Sequence, residues 1–229
     1  MREVLGKPLI GHMIDRLRFS KHLADIIVAT STDHSNDEMC EYLKSTHVKV
    51  YRGCEDDVLE RFYFAATEVS AKNVVRLTGD CPLIDPALLD HYIETFFLKK
   101  LDYIHPSSSF AEGLDIEVFT YMALEEAYQN AKLKSEREHI TQYFFNNPGR
   151  FIKFALKNTR DDSHYRITVD EEVDFLVVKN IFESLYKGEN HIFRFEEIKQ
   201  YLDRHEEVYK LNRQIVRNEG LKISLEKDR

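Results

Sequence analysis

The sequence predicts a single α/β domain with a mainly parallel or mixed sheet flanked by helices, and three observations carry that expectation. Short β-branched runs recur at Asp25–Thr30, Val48–Tyr51 and Val74–Thr78, each separated from the next by a stretch of helical period. The 229 residues are 43% hydrophobic and 31% charged, a mix able to bury a full core. No repeat, low-complexity tract or linker divides the chain, so residues 1–217 are assigned to the domain and 218–229 to a polar C-terminal tail.

The helical stretches of the first half are Pro8–Phe19, Asp37–Ser45, Asp57–Ser70 and Pro86–Lys99. Pro8 and Pro86 suit a first helical turn, where a missing N–H costs no bond. Leu88, Leu89, Tyr92, Ile93 and Phe96 form one apolar stripe on the last of these helices. Past residue 100 the rhythm changes, with strands expected at Asp102–His105, Asp115–Phe119, Phe151–Leu156 and Tyr165–Val169. Helices are expected at Tyr121–Ala131, Ser135–Asn146, Glu172–Tyr186 and Phe195–Leu211, and Pro106–Phe110 reads as a mobile surface loop.

A formal net charge of −8 has the wrong sign for a broad grip on nucleic-acid phosphates. The longest apolar runs are far short of the ~20 residues that cross a bilayer, and no signal-peptide core opens the chain, so a soluble cytoplasmic protein without membrane insertion is expected. Cys40, Cys54 and Cys81 have no CxxC spacing, which fits reduced, packed thiols rather than a zinc or redox site.

In parallel α/β sheets ligands bind beyond the carboxyl ends of strands. Asp80 follows one such strand, with Gly79 letting a ligand approach the backbone, and Asp170 occupies the same kind of position ninety residues later. Two carboxylates without a His or Cys partner suit Mg²⁺ carried by a polyphosphate. The competing reading is that each merely caps the helix that follows. Asp85 reads as a turn residue before Pro86, and Asp174 as a helix residue. Alternation would send Asp115 and Glu117 to one face of a strand, either facing a cleft that holds sugar hydroxyls or lying on an exposed edge. Ser135 and Glu138 match a capping box, while Arg137 and His139 either meet an anionic substrate or form a solvated face. Asp57 and Arg61 open a helix acceptably by capping alone.

Gly6-Lys-Pro-Leu-Ile10, the strand Ala24-Asp-Ile-Ile-Val-Ala-Thr-Ser31, Asp57-Val-Leu-Glu-Arg61, Thr78-Gly-Asp-Cys-Pro-Leu-Ile-Asp-Pro86, Gly113-Leu-Asp-Ile-Glu-Val-Phe119, Ser135-Glu-Arg-Glu-His139 and Thr168-Val-Asp-Glu171 occur in an order that resembles the spore-coat polysaccharide biosynthesis protein F family. Those are cytidylyltransferases related to the CMP-KDO and CMP-sialic acid synthetases, with a GT-A-like nucleotide-diphospho-sugar transferase fold. The resemblance implies transfer of a cytidylyl group from CTP to a sugar acid or sugar phosphate, with release of pyrophosphate, for surface or spore-coat polysaccharide. It makes Asp80 and Asp170 the catalytic Mg²⁺ ligands and puts Arg76, Thr78, Gly79, Asp57 and Arg61 near the nucleotide. Asp115, Glu117, Arg137 and His139 would face the acceptor sugar, with Arg166 in support, and a homodimer is implied by the same analogy. Members begin with a strand and a loop resembling Ala-Arg-x-Gly-Ser-x-Arg-Leu-Pro-Gly-Lys, and Met1–Leu9 resembles the segment just downstream, so a sheet opened by the missing strand is expected. Two rival readings are a noncatalytic nucleotide- or sugar-binding subunit and a GT-A-like glycosyltransferase.

Overall fold

In the computed structural model, which describes residues 1–217 and 228, the chain opens on a two-residue hairpin, β1 (Glu3–Val4) with β2 (Lys7–Pro8), whose turn places Leu5 and Gly6 at positive φ. Helix α1 (Leu9–Leu17) follows, and Pro8 sits just before its first turn as its fixed φ favours. Strand β3 (Ile27–Ser31) then crosses through α2 (Asp37–Ser45) to β4 (Lys49–Gly53), which pairs with it in parallel from Ile27–Lys49 to Ser31–Gly53. Ile14, Leu43 and Val48 seal this unit against Val28 and Val50.

Helix α3 (Val58–Glu68) leads to β5 (Asn73–Arg76), the first strand of a second sheet. There β6 (Tyr103–Pro106), β7 (Glu117–Thr120) and β8 (Lys153–Leu156) complete the order β5-β7-β6-β8. β7 runs antiparallel to both β5 and β6, and β6 is parallel to β8, so the fold is α/β with a mixed sheet. Among the described residues no strand pairing joins the two sheets: β3 pairs only with β4, and β5 only with β7.

One face of the larger sheet is covered by α4 (Pro86–Lys99), whose Leu89, Tyr92, Ile93 and Phe96 meet Ile104, Ile116 and Val118. Each such aliphatic or phenyl side chain contributes roughly 1.5–3 kcal/mol on burial. The other face takes α3 together with α5 (Tyr121–Asn130), through Leu59, Ala66, Leu124 and Ala127 against Tyr103 and Phe119. Because both faces are covered, Glu117 at 7% exposure and Phe119 at 0% are as buried as their neighbours, and the expected polar face of this strand does not form.

The Ser135–Asn146 stretch breaks at His139–Thr141 into α6 (Lys134–Glu138) and α7 (Gln142–Asn146). Glu136, not Glu138, reaches back to the N–H groups of Lys132 and Leu133, so the helix starts earlier than the Ser-x-x-Glu spacing implies and Ser135 is buried inside it. Helix α8 (Glu172–Leu185) follows, and the last expected helix divides into α9 (Phe195–Arg204) and α10 (Glu206–Tyr209). These three close a further cluster with Tyr165 and Ile167.

Tyr165–Val169 is extended but makes only an isolated bridge, Arg166 with Glu112, and is not a sheet strand. The loop at 106–110 is also better tied than its composition implies: Phe110 is buried, and Ser109 accepts hydrogen bonds from the N–H groups of Asn158 and Asp162. Apart from Asp228, which accepts a hydrogen bond from Ser135 N–H at 3.2 Å, the tail expected at 218–229 lies outside the described residues. Among the described residues no helix is long and apolar enough to cross a membrane.

Candidate active site

The seam between the end of β5 and the extended segment 165–170 gathers the carboxylates singled out by sequence. Past Arg76 the chain runs through Leu77, Thr78 and Gly79 to Asp80, and the Asp80 carbonyl accepts the Val169 N–H at 2.8 Å. That bond sets Asp170 one residue from the backbone of Asp80. A second clamp comes from the 112–113 turn: Glu112 N–H donates to Tyr165 O at 3.0 Å and Ile167 N–H to Glu112 O at 2.8 Å. Gly113 takes φ +101°, and a Cβ there would lie 2.7 Å from Thr168 N, so the close approach of the two segments requires glycine. At Gly79, by contrast, a Cβ would meet nothing within 4 Å, which leaves open space beside Asp80.

Each carboxylate of the seam is held by one oxygen. Asp80 Oδ2 accepts from Thr168 Oγ1 at 3.0 Å, and among the described residues its Oδ1 meets only the thiol of Cys81, at 3.7 Å. Burial pushes that thiol well above its ordinary pKa, and Asp80 and Asp115 add to the effect, as fits a packed thiol. Asp170 Oδ2 accepts from Arg166 Nη2 at 2.6 Å, and its side chain is half exposed.

Arg166 itself is 8% exposed and fully engaged with protein: besides Asp170 it reaches Glu112 at 2.7 Å and Asp174 at 2.8 and 2.9 Å. Burial opposes its charge, but the hydrogen bonds to Asp174 and Glu112 outweigh this and hold its pKa above the ordinary value. Asp174 is completely buried, yet its carboxyl stays below the usual range, because Arg166, Asn212 and the N–H groups of Glu171 and Asp170 override the desolvation. Asn212 Nδ2 closes the unit at 2.7 Å from Asp174 and 3.1 Å from the Arg166 carbonyl.

The other sequence candidates have both carboxylate oxygens committed to protein donors. Asp57 Oδ1 caps α3 by accepting Glu60 N–H at 2.9 Å, and its Oδ2 accepts from Nε and Nη2 of Arg137, whose guanidinium also stacks on Tyr128. Glu117 accepts from Arg76 at 2.5 Å and from the Tyr103 hydroxyl. Asp115 accepts from Arg217 at 2.9 Å and from Gly113 N–H at 3.0 Å. Arg61 donates to the carbonyls of Cys54 and Glu55, and Thr78 Oγ1 lies 3.2 Å from Cys81 Sγ. His139 follows α6, its pKa lowered chiefly by burial with Arg76 adding to the effect. Asp85 caps α4 through the N–H groups of Ala87 and Leu88.

Thr168, Asp174, Asn212 and Glu112 do not stand out in the sequence as parts of a site. The available signal is the alternation of Arg166, Thr168 and Asp170, which puts three polar side chains on one side of an extended segment whose Tyr165 and Ile167 enter the core.

A mixed sheet wrapped by helices is the fold this chain shares with nucleotidyltransferases of known structure. The chain belongs to the cytidylyltransferase family, whose pattern it matches over residues 1–223. It is 36% identical over 203 residues to an uncharacterised protein of Methanocaldococcus jannaschii, with 87% of this chain and 82% of that one covered. It is 28% identical over 198 residues to the spore coat polysaccharide biosynthesis protein SpsF of Bacillus subtilis, covering 80% of this chain and 79% of the relative. A solved cytidylyltransferase from Leptospira borgpetersenii superposes with a TM-score of 0.86 at 32% identity, covering 93% of this chain and 90% of that one.

Proposed function

We propose that the protein transfers a cytidylyl group from CTP to an acidic or phosphorylated sugar, and that the product feeds surface polysaccharide synthesis. The observation that carries this reading is the Val169–Asp80 backbone bond, which brings together two aspartates that, among the described residues, each keep an oxygen clear of strong protein donors. The donor set fits Mg²⁺: hard carboxylate oxygens, with phosphate and water free to complete a six-coordinate shell. Among the described residues no cluster of three or more His, Cys, Asp or Glu competes as an all-protein metal cage. Asp80 and Asp170 would hold the ion, which supplies charge neutralisation to the triphosphate when bound.

The chain's own residues supply position. The open space over Gly79 admits the nucleotide beside Asp80, and Arg76, its charge balanced by Glu117, braces the end of β5. The acceptor oxygen forms its bond to the α-phosphorus in line as the bond to the bridging oxygen breaks, and pyrophosphate leaves with that electron pair. Likeness to SpsF supports the polysaccharide destination. Pyrophosphate release from CTP, measured across a panel of sugar acids and sugar phosphates, tests the reading. Asp80→Asn and Asp170→Asn are each expected to lower it by about 10²–10³-fold without loss of fold. Release within about threefold of the parent in both variants removes the metal assignment, and CTP-independent cleavage of a finished sugar nucleotide replaces the reaction with glycosyl transfer.

A further inference from the structure

The oxygens of Asp80 and Asp170 can act on a cation only if the protein holds them in place, and for Asp80 the geometry points to Thr168. This residue is 3% exposed and lies between Arg166 and Asp170 on the same side of the extended segment. Its Oγ1 is 3.0 Å from Asp80 Oδ2 and 3.3 Å from the Asp80 carbonyl oxygen, while the Cys81 thiol approaches it at 3.8 Å. A hydroxyl has one proton to donate, and the shorter contact directs it to Oδ2. With Oδ2 engaged, rotation of the carboxylate is restricted and Oδ1 is the oxygen turned away from a strong donor.

We infer that Thr168 is the positioning residue for Asp80, selecting the oxygen offered to a divalent cation. Because Arg166 does the same for Asp170 from four residues away, one short segment orients both carboxylates as a unit. The inference rests on the metal reading above and goes further by assigning the orientation of the pair to a side chain that need not touch the ion. Removing a group that orients a metal ligand typically costs 10–100-fold in metal affinity.

The test is titration of the full chain with Mn²⁺ in the presence of CTP and without acceptor, followed by electron paramagnetic resonance, so that binding is read without turnover. Thr168→Val keeps the packing volume and deletes the donor. It is expected to weaken Mn²⁺ binding by about tenfold, to raise the half-saturating Mg²⁺ for pyrophosphate release in parallel, and to leave the KM for CTP at saturating metal unchanged. Thr168→Ser restores the hydroxyl and is expected to return Mn²⁺ binding to within about threefold of the parent. If Thr168→Val does not fold, Thr168→Ala carries the same expectation. A Thr168 variant that lacks the hydroxyl yet binds Mn²⁺ like the parent, while Asp80→Asn does not, overturns the positioning role alone. A parent chain that binds Mn²⁺ no better than Asp80→Asn overturns the metal reading and this inference with it.

Discussion

Two charged corners of this molecule are equally conspicuous in the sequence and are used in opposite ways. At the start of α3, Asp57 gives one oxygen to the helix cap and the other to Arg137, and Arg61 turns its guanidinium onto loop carbonyls. In the seam beside β5, Asp80 and Asp170 each give one oxygen to a protein donor and, among the described residues, keep the other clear of any strong one. The chemistry of the side chains is the same; the difference lies in how many local donors reach each carboxylate. A carboxylate saturated by its own protein is architecture, and one left half satisfied is available to a ligand.

The sharpest way to break this contrast is to remove the buried support of the seam. Asp174→Ala leaves Arg166 without its completely buried partner and is expected to cost about 3–5 kcal/mol in urea unfolding. A loss below about 1 kcal/mol would mean that the seam stands without its ion pair. At the other corner, Arg137→Ala removes charge-assisted bonds to Asp57 and the stacking on Tyr128, with an expected cost of about 1–3 kcal/mol. Its kcat/KM is expected to stay within about threefold of the parent, whereas a loss beyond about thirtyfold at unchanged stability would return Arg137 to the substrate.

The smallest expected effect concerns a buried histidine of α1. His12, 3% exposed, packs on Phe182 of α8, contacts the Val4 carbonyl through Nε2 at 2.8 Å, and has its pKa lowered chiefly by burial. An unfolded-state histidine titrates near about 6.5, so just below that pH the unfolded chain binds more protons than the folded one. Stability therefore falls as pH drops through that range toward the lower folded pKa, and His12→Gln is expected to flatten the slope in thermal unfolding between about pH 7 and pH 5. An unchanged slope would assign the dependence to other groups.

The legible parts of the fold are those written in local chemistry. Helix α4 matches its expected bounds because Asp85 caps it, Pro86 opens it and its apolar stripe has one partner surface. Segment 165–169 shows strand-like alternation yet is not a sheet strand: its apolar residues face α8 and α9 while its backbone bonds to turns at Asp80 and Glu112. Alternation reports which sides are buried, not what the backbone is paired with. In the candidate site, Asp80 follows β5 as its place after a strand suggests, whereas Asp170 follows a segment that reads as a strand and forms none. The commitments of Asp57, Glu117 and Asp115 were not legible, because Arg137, Tyr103 and Arg217 reach them only once the chain has folded. Thr168 was hidden for the same reason, its partner lying 88 positions away.

That separation bears on the order in which the protein can be built. A nascent chain emerges N-terminal first, so Asp80 leaves the ribosome long before Thr168 and Asp170 exist to join it. Asn212, which completes the Asp174–Arg166 unit, arrives later still. Contacts of such long range form late, after closure of the loops between them has been offset by burial. The two-carboxylate seam is therefore among the last features to mature, and a partly synthesised chain, whatever its helices have achieved, has not yet brought Asp80 and Asp170 together.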